Sequence, residues 1–149
     1  MTTSTDVLDE IRRHGEETYP EECCGFLLGR PTDDGNEIVS ARPATNRNRD
    51  RRHDRFVIGP EDYVAADRAA RENGLDIVGM FHSHPDHPAR PSSTDLAQAT
   101  FPGYTYVIVA VQSGRATDLT AWSLAPDRSR FEAERVREGD MSQVLGPKS

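Results

Sequence analysis

The sequence predicts an α+β protein with a mixed β-sheet and helices between its strands. Five or six segments have the composition or the alternating pattern of strands, and helical periodicity lies before and between them. The first two strands are close enough in the chain to form a hairpin. Because 149 residues suit one core, we expect residues 1–149 to form a single domain, with a flexible tail from about residue 138.

The N-terminal part of the chain predicts one helix followed by the hairpin. Apolar residues at helical spacing predict a helix over about residues 5–17, and we expect His14 on its solvated face. An apolar run over residues 23–29 has the length of a central strand. Turn-forming residues at 31–36 then lead into a second strand over residues 37–41.

Residues 46–55 form a basic, polar loop that stands out in an acidic protein. One interpretation is a solvated, mobile loop, and the other is an electrostatic dock for an acidic partner surface. His53 lies in this loop but is too isolated in the sequence to predict a ligand. We expect a short strand over residues 56–58 to follow it.

The central part of the chain predicts a helix and then a strand. Pro60 occupies the favoured first turn of a helix over residues 61–73. The expected buried stripe of this helix consists of Tyr63, Val64, Ala66, Ala69 and Ala70. A strand over residues 75–81 ends directly before two closely spaced histidines, and a short helix is expected over residues 93–99.

The C-terminal part predicts two further strands, over residues 104–111 and 118–124, joined by a turn. In the charged segment that follows, Phe131 and Val136 are expected to anchor a last short element. Residues 141–149 are expected to be frayed.

Composition and charge exclude several classes of protein. The formal net charge is -7, which argues against nucleic acid as a general partner. The sequence has no run of about 18 apolar residues, so we expect no membrane-spanning helix and no membrane partner. The N-terminal residues lack the basic and then apolar pattern of a secretory signal, so a cytoplasmic location is expected.

Cys23 and Cys24 are the two cysteines of the chain. Adjacent residues on a strand point to opposite faces, so a disulfide between them is geometrically poor. We interpret them as small apolar residues, at least one of them buried. A catalytic thiol would need a paired histidine, and the histidines of the main cluster are better used on a metal.

His82, His84 and Asp95 are the candidate metal ligands. Side chains at positions i and i+2 of an extended backbone project to the same side, so both imidazoles can face one ion. Asp95 follows a Pro-rich turn at the expected start of a short helix, which could bring its carboxylate back to that ion. Two imidazoles and one carboxylate, with a fourth position for water, are typical of catalytic zinc. Fe(II) oxygenases use the same ligand types at a different spacing, so Zn²⁺ is the expected cofactor.

The spacing of these residues resembles the signature of the JAMM metalloproteases, also called the MPN-plus domain. The pattern H-x-H-x(7)-S-x(2)-D falls on His82, His84, Ser92 and Asp95 without a gap. The family also places a glutamate in an E-x-x-G segment that enters a strand, and here that glutamate is Glu22.

The resemblance, which covers about residues 7–124, implies a fold and a set of roles. The fold is a partly rolled β-sheet flanked by helices, an MPN or cytidine-deaminase-like sandwich. The three candidate ligands would bind Zn²⁺, and Glu22 would transfer protons without binding the metal. Ser92 would stabilise the oxyanion, cap the helix, or do both. Asp86 and His87 are expected to be loop residues near the substrate groove.

The resemblance also implies a reaction. Prokaryotic single-domain members would hydrolyse the amide bond after the C-terminal Gly-Gly of a ubiquitin-like or sulfur-carrier protein, whose tail could add as a strand to a sheet edge. One alternative is a non-catalytic MPN scaffold that binds partners, and another is a zinc amidase of small molecules. We expect a monomer or a weak homodimer.

Overall fold

The computed structural model describes residues 1–139. Eight strands and three helices occur within these residues. In chain order they are β1 Thr2–Ser4, α1 Thr5–Thr18, β2 Cys24–Thr32, β3 Gly35–Ala44, α2 Pro60–Glu72, β4 Asp76–Pro85, α3 Ser93–Gln98, β5 Thr105–Gln112, β6 Arg115–Leu124, β7 Phe131–Glu134 and β8 Arg137–Gly139.

The eight strands form one mixed sheet in the order β7-β6-β5-β4-β2-β3-β1-β8. β7 and β8 are at opposite ends of this order, yet only residues 135 and 136 separate them in the chain. Both conditions hold only if the sheet curls until its edges approach each other. Register shifts in β2 and β5 give the strands local bends of this kind. The predicted α+β class with a mixed, partly rolled sheet is therefore confirmed.

A buried polar cluster joins distant strands of the curled sheet. The side-chain amide of Asn36 on β3 donates to the carbonyl oxygens of Val78 (3.2 Å) and Gly103 (3.0 Å) and to Oγ1 of Thr105 (2.9 Å). The Thr105 hydroxyl in turn donates to Glu134 of β7 over 3.3 Å. These bonds connect β3, β4, β5 and β7 near the first residues of β4 and β5.

Helix α1 covers one face of the sheet. The core on this face includes Val7, Leu8, Ile11, Phe81, Val107, Val109 and Val111. His14 lies three residues after Ile11, on the same side of the helix, and its ring contacts the Phe81 ring edge-to-face at 6.0 Å. The expectation that His14 lies on the solvated face is therefore wrong, and burial lowers the pKa of its imidazole.

Helix α2 covers the other face near β2 and β4. The core there consists of Phe26, Leu28, Ala66, Ala70 and Leu75, with Tyr63 and Ala69 partly buried against it. Val64 is 60% exposed, so its predicted place in the buried stripe is wrong. Val64 precedes Ala66 by two residues, which puts it about 200° away around the helix.

Residues 56–58 form no strand, contrary to the expectation. Their backbone groups bond to the preceding loop instead of to a sheet. The Val57 N–H donates to Oδ1 of Asn46 over 3.2 Å, and the Val57 carbonyl accepts from the Arg47 N–H over 2.8 Å. The segment is therefore an extended part of the loop that runs from β3 to α2.

The two ends of the described chain also differ from expectation. The short strands β1 and β8 were not predicted, and they pair with each other in parallel. The tail predicted from about residue 138 thus begins inside β8, while the predicted fraying of residues 141–149 falls outside the described residues. Phe131 begins β7, and Val136 packs against the core, as expected.

None of the helices in residues 1–139 has the length and apolar character that crossing a membrane requires.

Candidate active site

Strand β4 delivers two histidines to one side of the sheet. It runs to Pro85, so His82 and His84 lie inside the strand and not beyond its end as predicted. Pairing with β2 on one side and β5 on the other holds this strand in the middle of the sheet. The Nε2 atoms of the two imidazoles are 3.1 Å apart.

Asp95 reaches the same point from the first turn of α3. Its Oδ1 lies 3.2 Å from Nε2 of His82, and its Oδ2 lies 3.1 Å from Nε2 of His84. The three residues form the group of potential metal ligands that the sequence predicts, with all ligand atoms within 4.8 Å of one another. The turn through residues 86–92 brings Asp95 back to His84 in space.

Ser92 fixes the start of α3 and the orientation of Asp95. The Ser92 hydroxyl accepts a hydrogen bond from the Asp95 N–H (3.0 Å), and the Ser92 N–H donates to the Asp95 carboxylate (2.8 Å). This reciprocal arrangement is a capping box. Because the Ser92 oxygen acts as an acceptor here, its exposed hydroxyl proton can still be donated elsewhere.

The donor set of this cluster fits Zn²⁺. Nδ1 of His84 donates to the Pro88 carbonyl at 2.8 Å, so in the neutral imidazole Nε2 carries the lone pair that a metal ion would take. Ligand atoms around a tetrahedral zinc ion lie about 3.3 Å from one another, given metal–ligand distances of about 2.0–2.1 Å. The separations of 3.1–3.2 Å among the three residues are close to this value.

Burial and hydrogen bonds shift the titration of these side chains in opposite directions. Burial acts to raise the pKa of Asp95, but hydrogen bonds from His82 and His84 outweigh it and hold that pKa well below its usual range. Burial acts to lower the pKa of His84, but the hydrogen bonds to Asp95 and the Pro88 carbonyl leave it raised. The cluster therefore carries a carboxylate anion ready to bind a cation.

Glu22 lies two residues before β2 and approaches the cluster from there. The register pairs Cys24 with His82, and continuing it by two residues brings Glu22 beside His84. Glu22 is only 5% exposed, and burial raises the pKa of its carboxyl group to about 8 despite the opposing effect of His84. A carboxyl group that titrates near neutral pH can both take up and release a proton during a reaction.

A mostly apolar groove of about 290 Å³ opens beside the cluster. His82 and Asp95 are part of its wall. Its other lining residues include Phe56, Tyr63, Met80, Phe101, Tyr106 and Phe131. Asp86 and His87 are exposed turn residues, as expected, and they do not line the groove; Asp86 accepts hydrogen bonds from Ser113 and Tyr19.

Two residues near the cluster of potential metal ligands were not predicted. Phe56 stacks on the His82 ring with centroids 4.8 Å apart and an interplanar angle of 28°. Asn46 bonds to the Glu22 carbonyl over 3.1 Å. No sequence motif contains either residue, and their only signal was an asparagine and an aromatic residue in a loop otherwise rich in charge.

Most arginines of the basic loop at residues 46–55 pair with acidic residues, some inside the loop and some outside it. Arg47 pairs with Asp62 at 3.1 Å, and Arg52 pairs with Glu21 at 3.3 Å. Arg51 and Arg55 both pair with Asp54. This pairing weakens the argument for an acidic partner at this loop, which stays a prediction.

Cys23 and Cys24 are both buried and free, which confirms that they form no disulfide. Burial raises the pKa of each thiol to about 12. Neither thiol is therefore available as a nucleophile at neutral pH.

Comparison with known proteins places this site in a family. Residues 4–125 match the family described as prokaryotic homologs of the JAB domain. A desampylase from Haloferax volcanii is 34% identical over 121 residues, which cover 78% of this chain and 84% of the relative. A CysO-cysteine peptidase from Mycobacterium tuberculosis is 29% identical over 138 residues, which cover 93% of this chain and 92% of the relative.

Solved structures share the fold over nearly the whole chain. The solution structure of a protein from Salinibacter ruber is 57% identical, has a TM-score of 0.76, and matches over 94% of this chain and 92% of its own. The crystal structure of a JAB1/MPN domain protein from Archaeoglobus fulgidus is 21% identical, with a TM-score of 0.60 over 94% of this chain and 100% of its own. The second comparison extends the likeness in fold to a distant sequence.

Proposed function

The chain belongs to the family of prokaryotic JAB-domain homologues, and we propose that it is a zinc peptidase of the JAMM type. Its substrate in this proposal is a ubiquitin-like or sulfur-carrier protein, and the bond hydrolysed is the amide bond after the C-terminal Gly-Gly. The names of two relatives, desampylase and CysO-cysteine peptidase, support a peptidase of this class. The cytoplasmic location stays a prediction.

The observation that carries the proposal is the convergence of His82, His84 and Asp95 at one wall of an open groove. The two Nε2 atoms lie 3.1 Å apart, and each lies 3.1–3.2 Å from one of the two Asp95 carboxylate oxygens, so the three residues can supply three corners of a tetrahedral site. The fourth corner is the place where a catalytic zinc site takes water or substrate. A purely structural zinc site would have a fourth protein ligand, and within residues 1–139 the cluster comprises only these three.

Zinc bound there would act as a Lewis acid and would lower the pKa of a bound water to about 7. The Glu22 carboxylate would accept a proton from the attacking water and pass it to the departing nitrogen of the substrate. The Ser92 hydroxyl would donate a hydrogen bond to the oxygen of the scissile carbonyl as negative charge develops on it. Both side chains lie outside the ligand set, so they remain free for these steps.

The shape and the mostly apolar lining of the groove favour an extended and uncharged substrate. Its lining is dominated by aromatic and aliphatic side chains and includes His82 and Asp95. A Gly-Gly tail has no side chains, so its backbone can approach the cluster more closely than the backbone of other residues. A small charged amide would find few polar partners in this lining.

The proposal is tested by metal analysis and a cleavage assay. Protein purified without chelator is expected to contain one zinc ion per chain and to release a β-grasp carrier from a partner fused after its Gly-Gly terminus. The Glu22→Gln variant is expected to retain zinc and to lose cleavage by several orders of magnitude. A matched fusion that ends in Ala-Ala instead of Gly-Gly serves as the substrate control.

Two results would count against the proposal. A zinc-loaded protein that binds Gly-Gly carriers but never cleaves them would favour the non-catalytic scaffold. Equal or faster hydrolysis of small amides, with no competition from the carrier protein, would favour the small-molecule amidase.

A further inference from the structure

The side-chain amide of Asn46 makes four hydrogen bonds. Its Nδ2 donates to the carbonyl oxygens of Glu22 (3.1 Å) and Arg55 (2.9 Å). Its Oδ1 accepts from the backbone N–H groups of Asn48 (3.0 Å) and Val57 (3.2 Å). Two donated and two accepted bonds use the full hydrogen-bonding capacity of an amide. If the amide were flipped, its NH₂ group would face the two backbone N–H groups and its oxygen would face the two carbonyl oxygens. The Asn46 side chain is therefore held in one orientation.

One of these bonds acts on the backbone of Glu22. Asn46 binds the Glu22 carbonyl, while the Glu22 N–H donates to the Arg52 carbonyl at 2.6 Å. Both backbone polar groups of Glu22 are thus bonded to the same loop, at a point before β2 begins. Strand β4 bonds to the next residue, Cys23, through Ser83, whereas the polar backbone groups of Glu22 itself are held by the loop.

Two other bonds of Asn46 act on Phe56. Arg55 and Val57, which Asn46 binds, are the residues on either side of Phe56. The Phe56 ring stacks on the imidazole of His82 at 4.8 Å. The Asn46 amide therefore connects the backbone of Glu22 to the aromatic ring that covers a candidate metal ligand.

We propose that Asn46 is a positioning residue that holds Glu22 and the Phe56–His82 stack at a fixed separation. The inference rests on the proposed function, because it assigns Asn46 a role in the reaction of that site. Asn46 is half-buried and lies in the loop, so it acts through Glu22 and Phe56 and touches neither the substrate nor the metal. Losing it should displace Glu22 relative to the cluster without removing a ligand.

The test compares two variants of Asn46 with a matched control in the same loop. Asn46→Ala removes all four bonds. Asn46→Asp keeps the two acceptor bonds to Asn48 and Val57 but loses both donated bonds and directs an oxygen at the Glu22 carbonyl. The control is Asn48→Ala, because the Asn48 side chain binds only the N–H groups of residues 50 and 51 in its own turn.

Both Asn46 variants are expected to lose about 10- to 100-fold in kcat, with KM within about two-fold of wild type and one zinc ion retained. Asn48→Ala is expected to stay within about three-fold of wild type in kcat. Equal losses in all three variants, or a loss confined to zinc content, would overturn the proposal.

Amide hydrogen exchange of the zinc-free proteins gives a readout that does not depend on activity. The Glu22 N–H is expected to exchange at least about ten times faster in both Asn46 variants than in Asn48→Ala or wild type. Unchanged exchange at Glu22 in the Asn46 variants would refute the inference even if their activity fell. A wild-type protein that cleaves no conjugate would instead refute the proposed function, and the exchange experiment would still decide whether Asn46 holds Glu22.

Discussion

Glu22 illustrates at the residue scale how a reactive group weakens the fold that holds it. Its carboxyl group is buried, and its pKa rises from an ordinary value of 4.5 to about 8. Between these two values the folded chain binds more protons at this site than the unfolded chain does. The contribution of the neutral carboxyl group to the free energy of unfolding is therefore fully present below about pH 4.5. It is lost as the pH rises through about 8.

We expect Glu22→Gln to stabilise the zinc-free protein near pH 8 by about 1–3 kcal/mol, because a neutral amide replaces a buried charge. At pH 4.5 the variant and wild type should differ little. Urea unfolding of chelator-treated protein across this pH range measures the difference. Glu21→Gln, which alters an exposed neighbour, is the control, and a gain from Glu22→Gln that does not vary with pH would contradict the explanation.

The grouping of His82, His84, Ser92 and Asp95 was predictable because its signal is local in sequence, whereas Glu22 was selected only by the family resemblance. Two histidines one residue apart need only a strand to face the same way, and Ser92 and Asp95 need only a helix start. Asn46 and Phe56 were not predictable, because their contacts with Glu22 and His82 span about two dozen residues and depend on the path of an irregular loop.

The short helix α3 shows at the element scale that one residue can serve two purposes. Ser92 caps the helix that carries Asp95, and its hydroxyl proton remains free for the proposed bond to the substrate. The capping interaction and the proposed catalytic one are separable, because asparagine can cap a helix but has no hydroxyl group.

We expect Ser92→Ala to lose both functions and Ser92→Asn to lose one. Without a cap, Asp95 is held less firmly, so Ser92→Ala should bind zinc about 10- to 100-fold more weakly. Ser92→Asn should bind zinc nearly as wild type does and still lose about 10²- to 10³-fold in kcat. Zinc titration and steady-state kinetics separate the two effects, with Ser93→Ala as the neighbouring control. Full activity in Ser92→Asn would remove the hydroxyl group from the mechanism.

The elements that the sequence predicted correctly are those with a long periodic pattern. Helices α1 and α2 and strands β2 to β6 all lie near their expected positions. Strands β1 and β8 have three residues each, which is too few for a pattern, and they exist through pairing with distant segments. The expected strand at residues 56–58 had the right composition, but Asn46 and Arg47 take its backbone bonds.

Close packing against the neighbouring strands explains why the E-x-x-G pattern ends in a glycine, here Gly25. A Cβ atom at Gly25 would lie 2.4 Å from the ring of Phe81 and 2.5 Å from the carbonyl oxygen of Arg42. Phe81 directly precedes His82 on the neighbouring strand, so a side chain at residue 25 would push on the strand that carries the histidines.

In the molecule as a whole, the hydrogen bonds of Asn36 that stabilise the fold lie away from the region proposed for catalysis. Asn36 binds the Val78 carbonyl near the first residues of β4, whereas His82 and His84 lie near its last residues. The Asn36 side chain is buried, and its bonds hold the curled sheet together across β3, β4 and β5.

We expect Asn36→Ala to lower the free energy of unfolding by about 2–3 kcal/mol, since it leaves buried carbonyl groups without a donor. Its kcat at a temperature well below the unfolding midpoint should stay within about two-fold of wild type. Asn73→Ala, which removes one exposed bond to the Ala69 carbonyl, should cost less than about 1 kcal/mol. Chemical unfolding and kinetics on the same samples would show whether stability and activity separate as expected.

The stack of Phe56 on His82 has a consequence for observing the protein in solution. Phe56 lines the groove while one face of its ring covers the imidazole, so the ring current of Phe56 acts on the carbon-bound protons of His82. A molecule that enters the groove and tilts Phe56 by a few degrees would move those proton resonances without touching the metal site. The histidine spectrum would thus report occupancy of the groove before any bond is cleaved.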